Sequence, residues 1–293
     1  MVTIFALTAA LLYGSADFLG GVATRHARVL AVLPLSASAG AVIVIAAALV
    51  SGQHLQAAGL AWGVASGAVG GVGLIIFYSG LAAGPMSVVA PVSALMATVL
   101  PIGFALADGE RLNGLEFAGA ALCLVAIVLV SSAAADDAPA ERQAGLRGWL
   151  AGTGFHGRAV GYGLAAGTSF GLFFLFIRNA GQSGPVWPVA AARVTGLAII
   201  LVAALVTRTR PVLARASTRL LLATVGSGVL DASANIFYVI ATRHGLFGLA
   251  VVLTSLYPGI TVLLARFTLG ERMRLTQRAG LLLAGIGVVL VTV

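Results

Sequence analysis

The sequence predicts an all-α integral membrane protein with ten transmembrane helices arranged as two inverted five-helix repeats. Three observations carry that prediction. Of 293 residues, 60% are hydrophobic and only 9% are charged, against about 25% charged in soluble domains. The apolar residues run in stretches of about 20, enough to cross a ~30 Å hydrocarbon core as helices. The apolar sequence also repeats, because residues 84–130 align without a gap onto 245–291 at a constant shift of 161 positions. That alignment pairs Gly84 with Gly245, Gly109-Glu110-Arg111 with Gly270-Glu271-Arg272, and Ala118-Gly119 with Ala279-Gly280. Upstream, Ile76-Phe77-Tyr78 recurs as Ile236-Phe237-Tyr238 at a shift of 160, which implies one inserted residue.

Hydrophobic runs place the first five segments at 3–23, 30–50, 58–80, 86–106 and 114–132. The second five fall at 159–178, 185–206, 220–242, 247–267 and 278–293. Residues 1–133 are therefore expected to form one repeat and 159–293 the other. Between them, 134–158 reads as a polar linker with Asp136, Asp137, Glu141, Arg142 and Arg147, too short for a soluble domain. The chain enters apolar sequence straight after Met1-Val2-Thr3, so the first segment is expected to be a retained helix and not a cleaved signal. Five crossings per half is an odd number, which turns the second half upside down relative to the first.

The net charge of +8 and pI near 11.0 do not point to nucleic acid. All 17 basic residues other than histidine are arginines, and most lie in short loops, as in the cytoplasmic anchors of multi-pass proteins. Loops after segments 1, 5, 7 and 9 hold Arg25 and Arg28; Arg142, Arg147 and Arg158; Arg208, Arg210, Arg215 and Arg219; and Arg272, Arg274 and Arg278. The opposite face has Arg111, Arg178 and Arg243. This tally puts the arginine-rich loops in the cytoplasm and both chain ends outside. Cys123 stands alone, so no disulfide framework or cysteine metal site is expected.

Tyr13-Gly14-Ser15 in segment 1, the two Gly-Glu-Arg turns, and Gly119 and Gly280 in the helices that follow them resemble the EamA family of the drug/metabolite transporter superfamily. The resemblance covers the chain as two repeats. It implies a ten-helix fold and movement of a small metabolite or drug across the plasma membrane, in a bacterium the inner membrane. Relatives handle amino acids, nucleotide bases, sugars, carboxylates and drugs, so the family names no substrate. It also implies that segments 1, 3, 4, 6, 8 and 9 line a cavity, with segments 5 and 10 peripheral.

A charge at the bilayer centre costs about 2.5–3.5 kcal/mol on insertion scales and requires a reason. Asp17 in segment 1, Arg193 in segment 7 and Asp231 in segment 8 stand out. Arg193 and Asp231 lie roughly 16–20 Å from the same face at 1.5 Å per residue, a depth at which neighbouring helices can pair them. Two readings are open: a site that holds a substrate carboxylate or a proton, or a static pair that fixes packing. Ser227, Asp231, Asn235 and Tyr238 share one helix face, and such a polar stripe belongs against protein or a wet cavity. Segment 3 offers Gly71, Ile75 and Tyr78 at the corresponding positions. Asp17 follows Tyr13 by one turn, and its counterpart is Phe174; the counterpart of Arg193 is Ala37.

Pro91 and Pro101 in segment 4 and Pro258 in segment 9 are candidate kinks. Gly67, Gly70, Gly71 and Gly73 permit close helix approach or a mobile backbone in segment 3. Met96 and Tyr257 occupy matched positions and are candidate pocket walls. Each Gly-Glu-Arg turn reads as structural, its glycine ending one helix and its acid lying near the N-terminus of the next.

Enzymatic readings find little support. Gly167-Thr168-Ser169-Phe170-Gly171 fits G-x-S-x-G, but it lies in an apolar helical stretch and not in a strand-to-helix elbow. The sequence contains neither H-E-x-x-H nor G-x-x-x-x-G-K-[ST], and no cofactor or metal is expected. The sequence therefore predicts a secondary transporter whose partners are the lipid bilayer, a small solute and, through Asp231 or Asp17, protons. A membrane sensor or assembly protein is the alternative. Desolvation and a neighbouring arginine act in opposite directions on such a carboxylate.

Overall fold

The computed structural model describes residues 1–24, 29–83, 86–110, 113–133, 153–180, 184–209, 217–269 and 275–292. They form helices α1 (Val2–Thr24), α2 (Val29–Val50), α3 (Ala57–Ala83), α4 (Met86–Ala107), α5 (Gly114–Ala133) and α6 (Thr153–Ala180). These are followed by α7 (Val186–Val206), α8 (Thr218–Arg243), α9 (Phe247–Thr254), α10 (Tyr257–Leu269) and α11 (Leu275–Thr292). Among the described residues, seven spans are long and apolar enough to cross a membrane, and three further apolar helices are shorter. Large apolar side chains such as Val42, Leu49, Phe117, Leu205 and Leu282 stand exposed on the outside of the bundle, as a lipid-facing surface requires.

Two boundaries differ from the hydropathy reading. Helix α6 starts at Thr153, inside the stretch read as linker. Hydropathy marks where a helix becomes apolar, not where its hydrogen bonds begin. Segment 9 is broken: every residue of α9 is buried, and the chain turns at Ser255-Leu256 before α10 resumes. Pro258 explains the break, because it has no N–H to offer the carbonyl of Thr254 and fits best in the first turn of a new helix. Helix α4, by contrast, runs unbroken through Pro91 and Pro101.

Contacts between helices come in matched sets. Helix α1 packs on α8 as α3 packs on α6, α4 packs on α6 as α10 packs on α1, and α2 packs on α8 as α7 packs on α3. Helices α5 and α11 pair with each other at the periphery. The crossings depend on glycine. A Cβ on Gly228 would overlap the carbonyl of Ser36, and one on Gly67 would stand 2.8 Å from Ala192 Cα. Likewise a Cβ on Gly40 would meet Gly228 O at 2.7 Å, and one on Gly196 would meet Gly67 O at 3.6 Å. Ser36 and Gly40 thus correspond to Ala192 and Gly196, and Gly228 corresponds to Gly67.

That register shifts segment 3 by one residue from the Ile-Phe-Tyr match. The 161 shift holds through Gly67, so Gly70, Leu74 and Phe77 stand opposite Asp231, Asn235 and Tyr238. Backbone contact at the glycines matches Gly67 with Gly228, one residue out of phase with the repeated tripeptide.

Other ties join the halves through loops. Trp187 Nε1 donates to Gln53 O at 2.9 Å, and the Val186 amide donates to Gln53 Oε1 at 3.3 Å. The α4 end is a Schellman turn: Glu110 N donates to Ala105 O, Gly109 N donates to Leu106 O, and Gly109 has φ +91°. Next comes a capping box, in which Asn113 Oδ1 accepts from Glu116 N at 2.8 Å and Glu116 Oε2 accepts from Asn113 N at 2.7 Å.

Glu110 itself is not a cap of the following helix, as the sequence reading expects. Its two carboxylate oxygens accept from Phe247 N at 2.8 Å and Gly248 N at 2.9 Å, at the start of α9 in the other half. The capping box already satisfies α5, so the acid is free to reach across. Arg178 lies 3.8 Å from Glu110 and 3.6 Å from Asp108, with its guanidinium 4.3 Å above the Phe247 ring. Arg111 and residues 270–274, which include the second Gly-Glu-Arg turn, lie outside the described residues.

Candidate functional site

A cavity of about 490 Å³ crosses the middle of the bundle. Its walls come from α1 (Tyr13, Asp17), α2 (Ala37), α3 (Gly67, Gly70, Gly71, Leu74, Phe77) and α4 (Ser93, Ala94, Ala97, Thr98). The second half supplies α6 (Phe170, Phe173, Phe174), α7 (Ala192, Arg193, Gly196, Leu197, Ile200), α8 (Asp231, Asn235), and Ser255, Tyr257 and Thr261 around the break in segment 9. Helices α5 and α11 contribute none of these lining residues. Helices α2 and α7 do, in addition to the six segments that the family resemblance implies. They reach the cavity because the glycine crossings draw them in against α8 and α3.

Arg193 and Asp231 meet in this wall. Arg193 Nη1 donates to Asp231 Oδ2, and Nη2 donates to the backbone carbonyl of Asp231 at 2.9 Å. Asn235 Nδ2 donates to the same carbonyl at 2.8 Å. The arginine is thereby committed to α8 in two ways, holding α7 to it across the cavity wall. Ala37 and Gly70, at the corresponding sequence positions in the first half, also line the cavity.

Asp17 is different. It is exposed to the cavity and has no hydrogen bond or ion pair among the described residues. Asp17, Asp231 and Tyr257 all stand in the cavity wall. Two buried polar atoms also lack partners among the described residues: the Tyr13 hydroxyl and Asn235 Oδ1. Asn235 is 2% exposed, so ordinary solvation does not serve it. Its amide orientation is fixed, because inverting it would set its oxygen against the Asp231 carbonyl.

Aromatic rings fill much of the rest. Tyr13 sits 6.0 Å from Tyr257 and 6.4 Å from Phe174, centroid to centroid, and Phe173 meets Phe174 edge-on at 5.4 Å. Across the cavity Phe77 stacks edge-on with Phe170 at 5.9 Å. Phe170, Phe173 and Phe174 fall at i, i+3 and i+4, a single-face pattern readable from the sequence but overlooked there. Thr98 Oγ1 and Ser255 Oγ share a buried hydrogen bond of 2.9 Å that ties α4 to the break. Thr261 Oγ1 donates to Gly14 O at 3.0 Å, while a Cβ on Gly14 would stand 2.6 Å from Tyr257 O. Gly14 therefore lets segment 9 bend against α1.

Several sequence candidates stand elsewhere. Tyr238 is buried behind the wall, its ring 4.8 Å from Phe174 and its hydroxyl donating to Phe174 O at 3.4 Å. Met96 faces Gly167 on α6 and is not among the lining residues. Pro101 is buried beside Gly171. The side chains of Tyr78, Pro91 and Pro258 lie outside the described residues. The G-x-S-x-G stretch lies within α6, where Ser169 Oγ donates to Ala165 O at 3.0 Å.

No curated protein matches the chain. A solved crystal structure is 20% identical, with a TM-score of 0.77 over 99% of this chain and 96% of that one. At that identity the likeness speaks for the fold alone. The model of the EamA-like transporter family matches residues 1–132 and again 157–293. With both halves matched, the chain belongs to the EamA-like transporter family, a multi-pass membrane family of the drug/metabolite transporter superfamily.

Proposed function

We propose that this protein is a secondary transporter that moves a small organic solute across the plasma membrane by alternating access. The observation that carries the reading is the central cavity, whose walls come from both halves and hold two carboxylates and an arginine. Close packing is the rule in protein interiors, and charges inside a membrane bundle need a purpose.

The reading includes ten crossings in two inverted repeats. The matched helix contacts and glycine crossings support this, and the shorter apolar helices Val92–Ala107, Gly114–Leu129 and Leu275–Leu290 supply the crossings beyond seven. The arginine-rich loops face the cytoplasm and both chain ends face outward. The solute sits near the midplane, where such repeats meet.

In this reading Tyr13, Asp17, Asn235 and Tyr257 contact the solute. The Arg193–Asp231 pair shapes the wall, and Tyr238 and Met96 support it from behind. The break at Ser255-Leu256, with Pro258, is the hinge of segment 9, and Pro91 and Pro101 serve α4. Asp17 carries the proton if transport is proton-coupled, because Asp231 is already engaged by Arg193 and Asp17 has no such partner among the described residues.

Flux in proteoliposomes under an imposed pH gradient tests the reading. The panel would hold amines, amino acids, nucleobases and sugars. Gradient-driven movement of at least one compound is expected, with loss of gradient dependence in Asp17→Asn. Wild-type gradient dependence in that variant would move the proton to another group. A folded protein that moves nothing in the panel would favour a sensor or assembly role.

A further inference from the structure

The polar atoms of the cavity form a pattern with one sign. Arg193 spends two guanidinium nitrogens on the side chain and backbone of Asp231, which removes one positive and one negative charge from what a ligand meets. Asp17 has no ion-pair partner among the described residues. Two buried atoms are also unmatched among the described residues: Asn235 Oδ1, which can only accept, and the Tyr13 hydroxyl, which can accept or donate. Tyr13 lies one turn from Asp17 on α1, so both oxygens belong to one face. The cavity wall thus carries an unpaired carboxylate, with an amide oxygen and a phenol oxygen beside it, while its one guanidinium is engaged by Asp231.

Around these oxygens stand six rings: Tyr13, Phe77, Phe170, Phe173, Phe174 and Tyr257. Their faces carry negative potential and attract cations, the more so where water is excluded. Their bulk suits an apolar or aromatic body, and about 490 Å³ is of the size that holds a drug-sized molecule.

We propose that the solute is an organic ammonium ion with an aromatic or apolar body, its ammonium facing Asp17 and its body against the surrounding rings. This rests on the transporter reading and narrows it. A zwitterionic amino acid presents the same ammonium but also a carboxylate, for which no uncommitted cation lines the cavity among the described residues. An anion meets Asp17 with nothing to offset it. Both classes are therefore excluded by the same arrangement that selects the amine.

Four compounds with one aromatic body test the proposal: 2-phenylethylamine, 2-phenylethanol, phenylalanine and 3-phenylpropionate. Their binding to the full chain would be measured calorimetrically in detergent, where no flux is needed. The amine is expected to bind at least about 10-fold more tightly than each of the others. In Asp17→Asn the amine should lose its advantage over the alcohol, read as the ratio of the two affinities in one protein. Tighter binding of phenylalanine or phenylpropionate than of the amine overturns the proposal. So does an unchanged ratio in Asp17→Asn, and so does failure of all four to bind wild type. If Asp17→Asn does not fold, the wild-type ranking decides. Amine binding without flux in proteoliposomes would leave this assignment standing and remove the transporter reading instead.

Discussion

The two walls of the cavity share a backbone and differ in chemistry. Where α2 crosses α8, Ser36 and Gly40 meet Gly228; where α7 crosses α3, Ala192 and Gly196 meet Gly67. One position beyond Ala192 stands Arg193, paired with Asp231; one position beyond Ser36 stands Ala37, which has no charge to pair. The contacts that let the helices approach are alike in the two halves, and the side chains beside them that line the cavity differ. Backbone packing at the crossings is symmetric, and the chemistry of the cavity wall is not.

The strongest way to break the comparison is to attack the crossings. Gly228→Leu and Gly67→Leu should each destabilise the protein by about 3 kcal/mol or more, because the new side chain meets partner backbone that cannot yield. Both variants are expected to lose nearly all monodisperse protein on size-exclusion chromatography in detergent. If one folds normally, the two crossings are not equivalent. Gly70→Ala should be milder, at about 1–2 kcal/mol, since a Cβ there meets the Phe173 ring at 2.8 Å, and a ring can turn aside.

A second test addresses the chemistry. Asp231→Ala leaves Arg193 without its counter-charge in a half-buried wall. Breaking a fully buried pair costs about 3–5 kcal/mol. Arg193 and Asp231 are 19% and 38% exposed, so cavity water screens them and about 1–3 kcal/mol is expected. Arg193→Ala/Asp231→Ala should recover part of that loss in a double-mutant cycle read by thermal unfolding. Additive losses would mean that the pair does not act as a unit. Ala37→Ser, at the matching place in the first half, should change stability by less than about 0.5 kcal/mol.

How far the sequence reveals this arrangement depends on what signal each feature leaves. Helices in a bilayer announce themselves by apolar length, so their places along the chain were legible to within a turn or two. Depth is legible as well, because residues can be counted from a loop, and the structure joins Arg193 and Asp231 at that depth. Rotation about a helix axis is not. Met96 and Tyr257 match in sequence, yet Tyr257 lines the cavity and Met96 packs on Gly167. The one-residue slip in segment 3 has the same origin: a repeated Ile-Phe-Tyr is a side-chain likeness, whereas glycine-to-backbone contact matches Gly67 with Gly228. Least legible was Glu110, since a carboxylate in a turn does not state which of several helix ends it will reach.

That carboxylate provides the smallest and sharpest test of how far the symmetry extends. Glu110 accepts from two backbone amides at the start of α9 and lies beside Arg178. Glu110→Gln preserves its shape, removes its charge and leaves one oxygen to accept, so one of two charge-assisted bonds is lost outright. A loss of about 1–2 kcal/mol is expected, the worth of a hydrogen bond to a charged group at a helix N-terminus. Thermal unfolding in detergent would read it against wild type. Glu271 is the sequence twin of Glu110 at the 161 shift, and Glu271→Gln is the matching variant. Equal losses would carry the shared packing from the central crossings out to the helix ends. A loss confined to Glu110 would limit the symmetry to the glycine crossings, and would make the ends of the bundle as individual as the cavity walls.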